Sequence, residues 1–291
     1  MKANPFFRRM TCVIFFLVCM CLPCSSNPQG DFTENWWENN MLIAKGYGFP
    51  PSNATSGQAR TLARRAAIVD GYRKLAEKAK LIRITAQQTL GVQIGADNVV
   101  KEKINALING AEILSIEFDD NGVCTAVLSV PLYGVKDSIA NVALKPVPKE
   151  NFPLPSKNNF AQGNYTGLII DCGDADLNPV MLPTIRNESN QAVYAYNNLD
   201  YDKIVSSGMV SYIKKDSRVS SNFFSMCEAR DISRAGNNPL VIKATALSDD
   251  NTCPVISTSD ADKILSENQL SHFLDDGAVV FTGYRIGGLR A

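Results

Sequence analysis

The chain has 291 residues, 45% of them hydrophobic, and its 29 lysines and arginines are balanced by 29 aspartates and glutamates. That balance gives no bulk charge to draw the protein onto nucleic acid or an anionic membrane, and the hydrophobic share is that of a chain with real cores. A single histidine, His272, excludes a zinc site built on several histidines and leaves a Ser-His-Asp triad only one base to use.

Residues 1–26 read as an export signal. Lys2, Arg8 and Arg9 form a positive n-region, and Met10 to Leu22 is an apolar run short of a transmembrane span. Pro23 breaks that run, and Cys24, Ser25 and Ser26 offer small residues for cleavage. Loss of the three cations takes the net charge from +0 to −3. Cys24 is the candidate lipidation site, although a cysteine after Pro23 is a poor lipidation context. Cleavage after Ser25 or Ser26 is the favoured alternative.

Residues 27–40 form an N-terminal segment, polar apart from Phe32, Trp36 and Trp37. The Trp36-Trp37 pair is a candidate contact for a partner or a membrane surface, or it tucks onto its own domain; exposed sheet edges are the other candidate contact surface. An α+β domain is expected over residues 41–143. Met41 to Tyr47 is a strand, and Gly46, Gly48, Pro50 and Pro51 turn the chain into a helix from Gly57 to Lys80. Leu62, Ala66, Val69, Tyr72 and Ala76 recur at steps of three or four and predict the buried stripe, widened by Ile68, Leu75 and Ala79. Ala59, Ala63, Ala66 and Ala67 let such a helix lie close on a sheet. Ser52, Asn53, Thr55 and Ser56 supply N-cap side chains, and Asn53-Ala54-Thr55 also fits a glycosylation acceptor. Leu81 to Leu90 reads as a strand, Gly91 and Gly95 interrupt the chain, and Asn98 to Asn109 returns to helical spacing before Gly110. Glu112 to Phe118 and Val123 to Leu132 are strands around Asp119-Asp120-Asn121-Gly122, where the Asn-Gly step signals a hairpin. The alternation of Cys124 with Ala126, Leu128 and Val130 predicts a buried free thiol.

Residues 144–163 carry four prolines and read as a stiffened linker. Residues 164–291 form a second α+β module. Its strands are expected at Tyr165 to Ile170, Val180 to Ile185, Ala192 to Tyr196, Met209 to Ile213, Leu240 to Leu247 and Ala278 to Tyr284. Helical turns are expected at Tyr201 to Ser207 and Ser257 to Leu270, with a polar loop from Asp216 to Asn238. The fold class is therefore α+β: a small sheet packed by a long amphipathic helix and a second helix, followed by a second α+β module. Cys172, Cys227 and Cys253 allow at most one disulfide.

The runs AKGYG, ARRAAIVDGYRKLAE and GAEILSIEFDDNGVCTAVLSVPLYG resemble the LPP-twenty lipoprotein module, which also forms the N-terminal domain of a flagellar basal-body ring protein. Ala66, Ala67, Asp70, Tyr72, Leu75, Ala76, Gly110 and Ala111 carry the likeness. TGLIID, NPLVIKA and the DADKIL helix resemble the tails of exported proteins bearing this module. The resemblance implies export, frequent outer-membrane anchoring and envelope or flagellar surroundings, and it implies no catalytic residues.

Chemistry has few footholds. Asp171, Asp174 and Asp176 in DCGDADLNP alternate as cation ligands do, but lack the further ligands a calcium loop needs, so a solvated turn is the better reading. His272, near Asp275 and Asp276, has no nucleophile placed for it and reads as a surface residue at a helix end. Nucleotide, hydrolase and zinc-protease signatures are missing. Arg60, Arg64, Arg65 and Arg73 read as a solvated face. The expectation is a non-enzymatic protein without metal or cofactor, in the periplasm or at the outer-membrane periphery, whose partners are other envelope proteins rather than nucleic acid. A periplasmic small-ligand or lipid binder is the alternative, and it requires a closed apolar pocket of roughly several hundred Å³.

Overall fold

A computed structural model describes residues 36–156, 160–173, 175–214 and 232–284. The fold is α+β. A short helix α1 (Trp36–Asn39) leads into β1 (Met41–Gly48), the long helix α2 (Ser56–Leu81), α3 (Leu90–Ala96), α4 (Asn98–Asn109), and the hairpin β2 (Glu112–Phe118) and β3 (Cys124–Pro131). After α5 (Ile139–Ala143) come β4 (Gly167–Asp171), β5 (Ile185–Asn187), β6 (Ala192–Tyr194), α6 (Tyr201–Ser207) and β7 (Ser211–Lys214). The chain then forms β8 (Pro239–Lys243), β9 (Ala246–Ser248), β10 (Cys253–Ile256), the helix Thr258–Ser271, here α7, and β11 (Val279–Tyr284).

β1, β3 and β2 form an antiparallel sheet in that order, with α2 across one face. Leu42 and Ala44 on β1 and Cys124, Ala126, Leu128 and Val130 on β3 are buried there. Small residues govern this packing. The buried face of α2 is Ala63, Ala67, Gly71, Leu75 and Ala79. A Cβ at Gly46 would overlap the Ala67 carbonyl, and one at Gly48 would overlap that of Ala63. The predicted stripe is thus rotated: Leu62 and Val69 are 46% and 65% exposed, and Ala66 is exposed too. Two glycines in β1 bring the helix so near that bulky side chains cannot fit between. Thr55 is the N-cap, its N–H donating to Gln58 Oε1 at 3.4 Å.

The expected helix over Asn98 to Asn109 is present as α4, with a cap its spacing did not flag: Asp97 accepts from Val99 and Val100 N–H at 2.9 and 3.3 Å. Val100, Ile104 and Ile108 are its buried face. In the hairpin turn Asp119 Oδ1 accepts from Val123 N–H at 2.7 Å, and Gly122 takes a φ of 76°.

Leu81 to Leu90 is not a strand. Ile82 and Ile84 are buried, but the segment is a bend closed by one Arg83–Thr89 bridge. The carbonyls of Arg83 and Ile84 accept from Met181 and Leu182 N–H, each at 2.9 Å, so the loop pairs with the C-terminal half instead of a sheet. Gly91 and Gly95 lie within α3, and Thr89 supplies its cap. Val180 to Ile185 is irregular up to β5, and Leu240 to Leu247 divides at Ala244 and Thr245 into β8 and β9. Most of the predicted Asp216 to Asn238 loop lies outside the described residues.

The C-terminal half holds a parallel sheet in the order β7-β11-β4-β8 and a mixed one in the order β6-β5-β10-β9. Gly167, Leu168, Ile169 and Ile170 of β4 are all buried, as expected of a parallel strand covered on both faces. The proline-bearing stretch before β4 is tied to α7: Ser156 N–H donates to Asp262 Oδ1 at 2.6 Å, and Gly163 N–H to Glu267 Oε2 at 2.8 Å. One buried cluster takes in Leu42, Leu75 and Leu128 together with Leu168, Tyr194 and Phe281.

Candidate interaction surface

The two edges of the β1-β3-β2 sheet differ. Along β1, side chains of α2 take the place of a fourth strand. Lys74 Nζ donates to the Lys45 carbonyl at 3.0 Å and Lys78 Nζ to that of Ile43 at 3.2 Å, while Tyr47 N–H donates to Asp70 Oδ2 at 3.0 Å. Asp70 also pairs with Lys74 at 2.8 Å and Arg73 at 2.7 Å. Partial burial would raise the Asp70 pKa. Lys74, the Tyr47 N–H and Arg73 outweigh it and hold the carboxyl at about 2. The DGYRKLAE run therefore has structural work: Asp70 and Lys74 clip the strand edge, Gly71 admits Leu128, and Leu75 fills the core.

Along β2 nothing comparable occurs. Among the described residues its backbone bonds only to β3. Glu112, Ile113 and Leu114 are exposed. Register places Ile113, Ile116 and Phe118 on the α2 side, opposite Leu128, Ala126 and Cys124. Glu112, Ser115 and Glu117 lie on the other face, opposite Ser129, Val127 and Thr125.

Beside this edge the outer face of α2 is both apolar and cationic. The Arg60 guanidinium lies 4.0 Å from the Phe118 ring centroid. Gly57, Arg60, Thr61 and Arg64 form one wall of an open groove of about 450 Å³, with Ile116 and Phe118 as the other. A second open groove, about 540 Å³, is lined by Leu62, Arg65, Ala66, Val69, Asp70 and Arg73. Arg73 pairs with Asp70 and Glu77, whereas Arg60, Arg64 and Arg65 pair with no described carboxylate. Sequence reasoning placed Leu62 and Val69 inside. The signal it passed over was the mixing of those residues with Arg60, Arg64 and Arg65 on the same two turns.

The sequence-predicted sites fall elsewhere. Cys24 lies outside the described residues, as do Cys227 and Asp174. Trp36 and Trp37 are half-buried; Trp37 meets Tyr212 edge-on at 5.5 Å, and Tyr212 meets Phe281 at 5.9 Å. Asp171 Oδ1 accepts from Gly173 N–H at 2.9 Å and Thr282 Oγ1 at 3.3 Å, which ties off the turn after β4. Among the described residues no cluster of His, Cys, Asp and Glu could hold a metal ion. His272 is exposed at the C-terminus of α7, 3.7 Å from Asp275. Cys124, Cys172 and Cys253 are buried free thiols, and burial pushes Cys172 up to about 12.

One half-buried polar group went unanticipated. Arg234 donates to the Gly277, Ser207 and Gly208 carbonyls at 2.7, 2.9 and 2.5 Å. Desolvation lowers its pKa. It binds together the starts of β7 and β11, a structural role.

The C-terminal half has a counterpart among known families. Residues 167–282 match the family model described as Treponema pallidum Tp0624, second domain. The match runs from β4 into β11 and takes in the NPLVIKA and DADKIL segments, but it covers less than half of the chain. No curated protein matches the chain.

Proposed function

We propose that the protein is an exported, non-enzymatic component of the cell envelope that binds other envelope proteins, with an N-terminal domain of the LPP-twenty lipoprotein type. The observation that carries this reading is the outer face of α2, where exposed Leu62 and Val69 share a groove with Arg65, which has no described carboxylate partner, and with the Asp70-paired Arg73. Apolar side chains framed by arginine are what contact surfaces favour. The N-terminal segment supports export, and the clipping role of Asp70 and Lys74 gives the DGYRKLAE run a physical reason. No described helix is long and apolar enough to cross a membrane. Peripheral attachment through Cys24 is the outer-membrane arrangement this reading admits. The rival ligand-binding reading needs a closed apolar cavity, and the grooves on α2 are open and carry arginines.

The test is photo-crosslinking in living cells, with a photoreactive residue at Leu62 or Val69 and a control at the exposed Glu102 on α4. A discrete envelope-protein adduct is expected from the first two positions only. An intact N-terminus on a cytosolic protein, or identical adducts from all three positions, would refute the proposal. Mass spectrometry of the mature N-terminus separates a diacylated Cys24 from simple cleavage.

A further inference from the structure

We infer that the outer edge of β2 takes up an extended strand from a partner polypeptide, one that presents acidic side chains on the face toward α2. The inference rests on the interaction reading and specifies its mode. A sheet edge left bare is a template for another strand, and among the described residues only one of the two edges of this sheet is closed. Lys74, Lys78 and Asp70 occupy the backbone groups along β1, and no described side chain does so along β2.

Chemistry on either side of β2 selects the occupant. Side chains alternate across a strand, so every second residue of an added strand lies over the α2 side. There it continues the row of Ile113, Ile116 and Phe118 beside Arg60 and Arg64. Carboxylates at those positions reach guanidiniums that no described acid engages. A second copy of the chain fits badly. Antiparallel self-pairing about a two-fold axis normal to the sheet brings Arg60 and Arg64 of both copies onto one face of the seam. It also gathers Glu112 and Glu117 of both copies on the other, so like charges face like on each side.

The test uses the full mature chain and a capped, fluorescently labelled ten-residue peptide alternating glutamate and threonine. A second peptide carries N-methyl groups on alternate amides along the pairing edge. Binding read by anisotropy, slowed amide exchange over residues 112–118, and loss of binding on N-methylation are expected. The double variant R60E/R64E is expected to weaken binding about tenfold, the yield of two exposed charge pairs, with R60Q/R64Q in between. Circular dichroism confirms that both variants fold. Equal binding of the N-methylated peptide, unchanged exchange over β2, or indifference to R60E/R64E overturns the inference, as does a self-associated dimer that masks β2 in sedimentation. Crosslinking from Leu62 and Val69 reports separately on the broader proposal, so the failure of one is distinguishable from the failure of the other.

Discussion

Gly46→Ala is the sharpest test of the packing between α2 and β1. The added methyl meets backbone: the Ala67 carbonyl and the Gly71 N and Cα. Neither element can yield by rotating a side chain, so the helix must lift from the strand. Overpacking of this kind costs about 1–3 kcal/mol. Lifting the helix also stretches the bonds from Lys74 and Lys78 to the β1 carbonyls and from Tyr47 N–H to Asp70. Each is worth ~0.5–1.5 kcal/mol, which brings the expected loss to the order of 3–5 kcal/mol. Two further glycines calibrate the measurement. At Gly71 the nearest atoms a Cβ meets all belong to the movable Leu128 side chain, Cδ1 at 2.5 Å and Cδ2 and Cγ at 3.4 Å, so Gly71→Ala should cost about 1–2 kcal/mol. At Gly95 in α3 a Cβ meets nothing within 4 Å, and Gly95→Ala should stabilise by roughly 0.5–1 kcal/mol. Urea unfolding followed by circular dichroism gives all three values. Gly46→Ala within 1 kcal/mol of the parent protein (about a fivefold change in the folding equilibrium), or ranking below Gly71→Ala, would refute the close-approach argument.

Asp70→Asn should cost about 1 kcal/mol at neutral pH, a value discounted for a partly solvated carboxylate. Because the folded-state pKa is depressed from 3.8 to about 2, this contribution is present above pH 4 and lost as pH falls toward 2. The difference between parent and variant should therefore shrink to a small fraction in urea titrations at pH 2 and disappear below it, and a constant difference would contradict the assignment. Arg234→Met should destabilise by about 3 kcal/mol, since it strands three carbonyl acceptors. Arg234→Lys should not restore the loss, because one ammonium cannot span the Gly277, Ser207 and Gly208 oxygens. Thermal melts of the pair settle the point.

Much of the framework could be read from local chemistry. Gly110 ends α4, Asn121-Gly122 marks the hairpin, and Gly208 ends α6, since caps and turns are decided by neighbouring residues. What escaped depends on distant partners. The face of α2 was misassigned because periodicity weighs bulk, whereas the Gly46 and Gly48 backbone across from it selects Ala63, Ala67 and Gly71. Ile82, Ile84 and Thr85 suggested a strand because they are β-branched, yet the carbonyls of Arg83 and Ile84 accept from Met181 and Leu182, about a hundred residues later in the sequence. Exposed sheet edges could be expected as contact surfaces, but which edge stays bare among the described residues was hidden, because an unpaired backbone carries no mark in a side-chain pattern.

The position of β11 has a consequence for biogenesis. It is the last of the described strands, yet it sits between β7 and β4 at the centre of the parallel sheet. A polypeptide emerging N-terminus first leaves those two strands without their shared neighbour until residue 284 is out. Non-local parallel pairing is slow to close and exposes apolar surface meanwhile. The nascent C-terminal half should therefore rely on holdase protection until β11 has emerged, whereas the β1-β3-β2 sheet and α2 have all their own strands and helix once residue 131 has emerged.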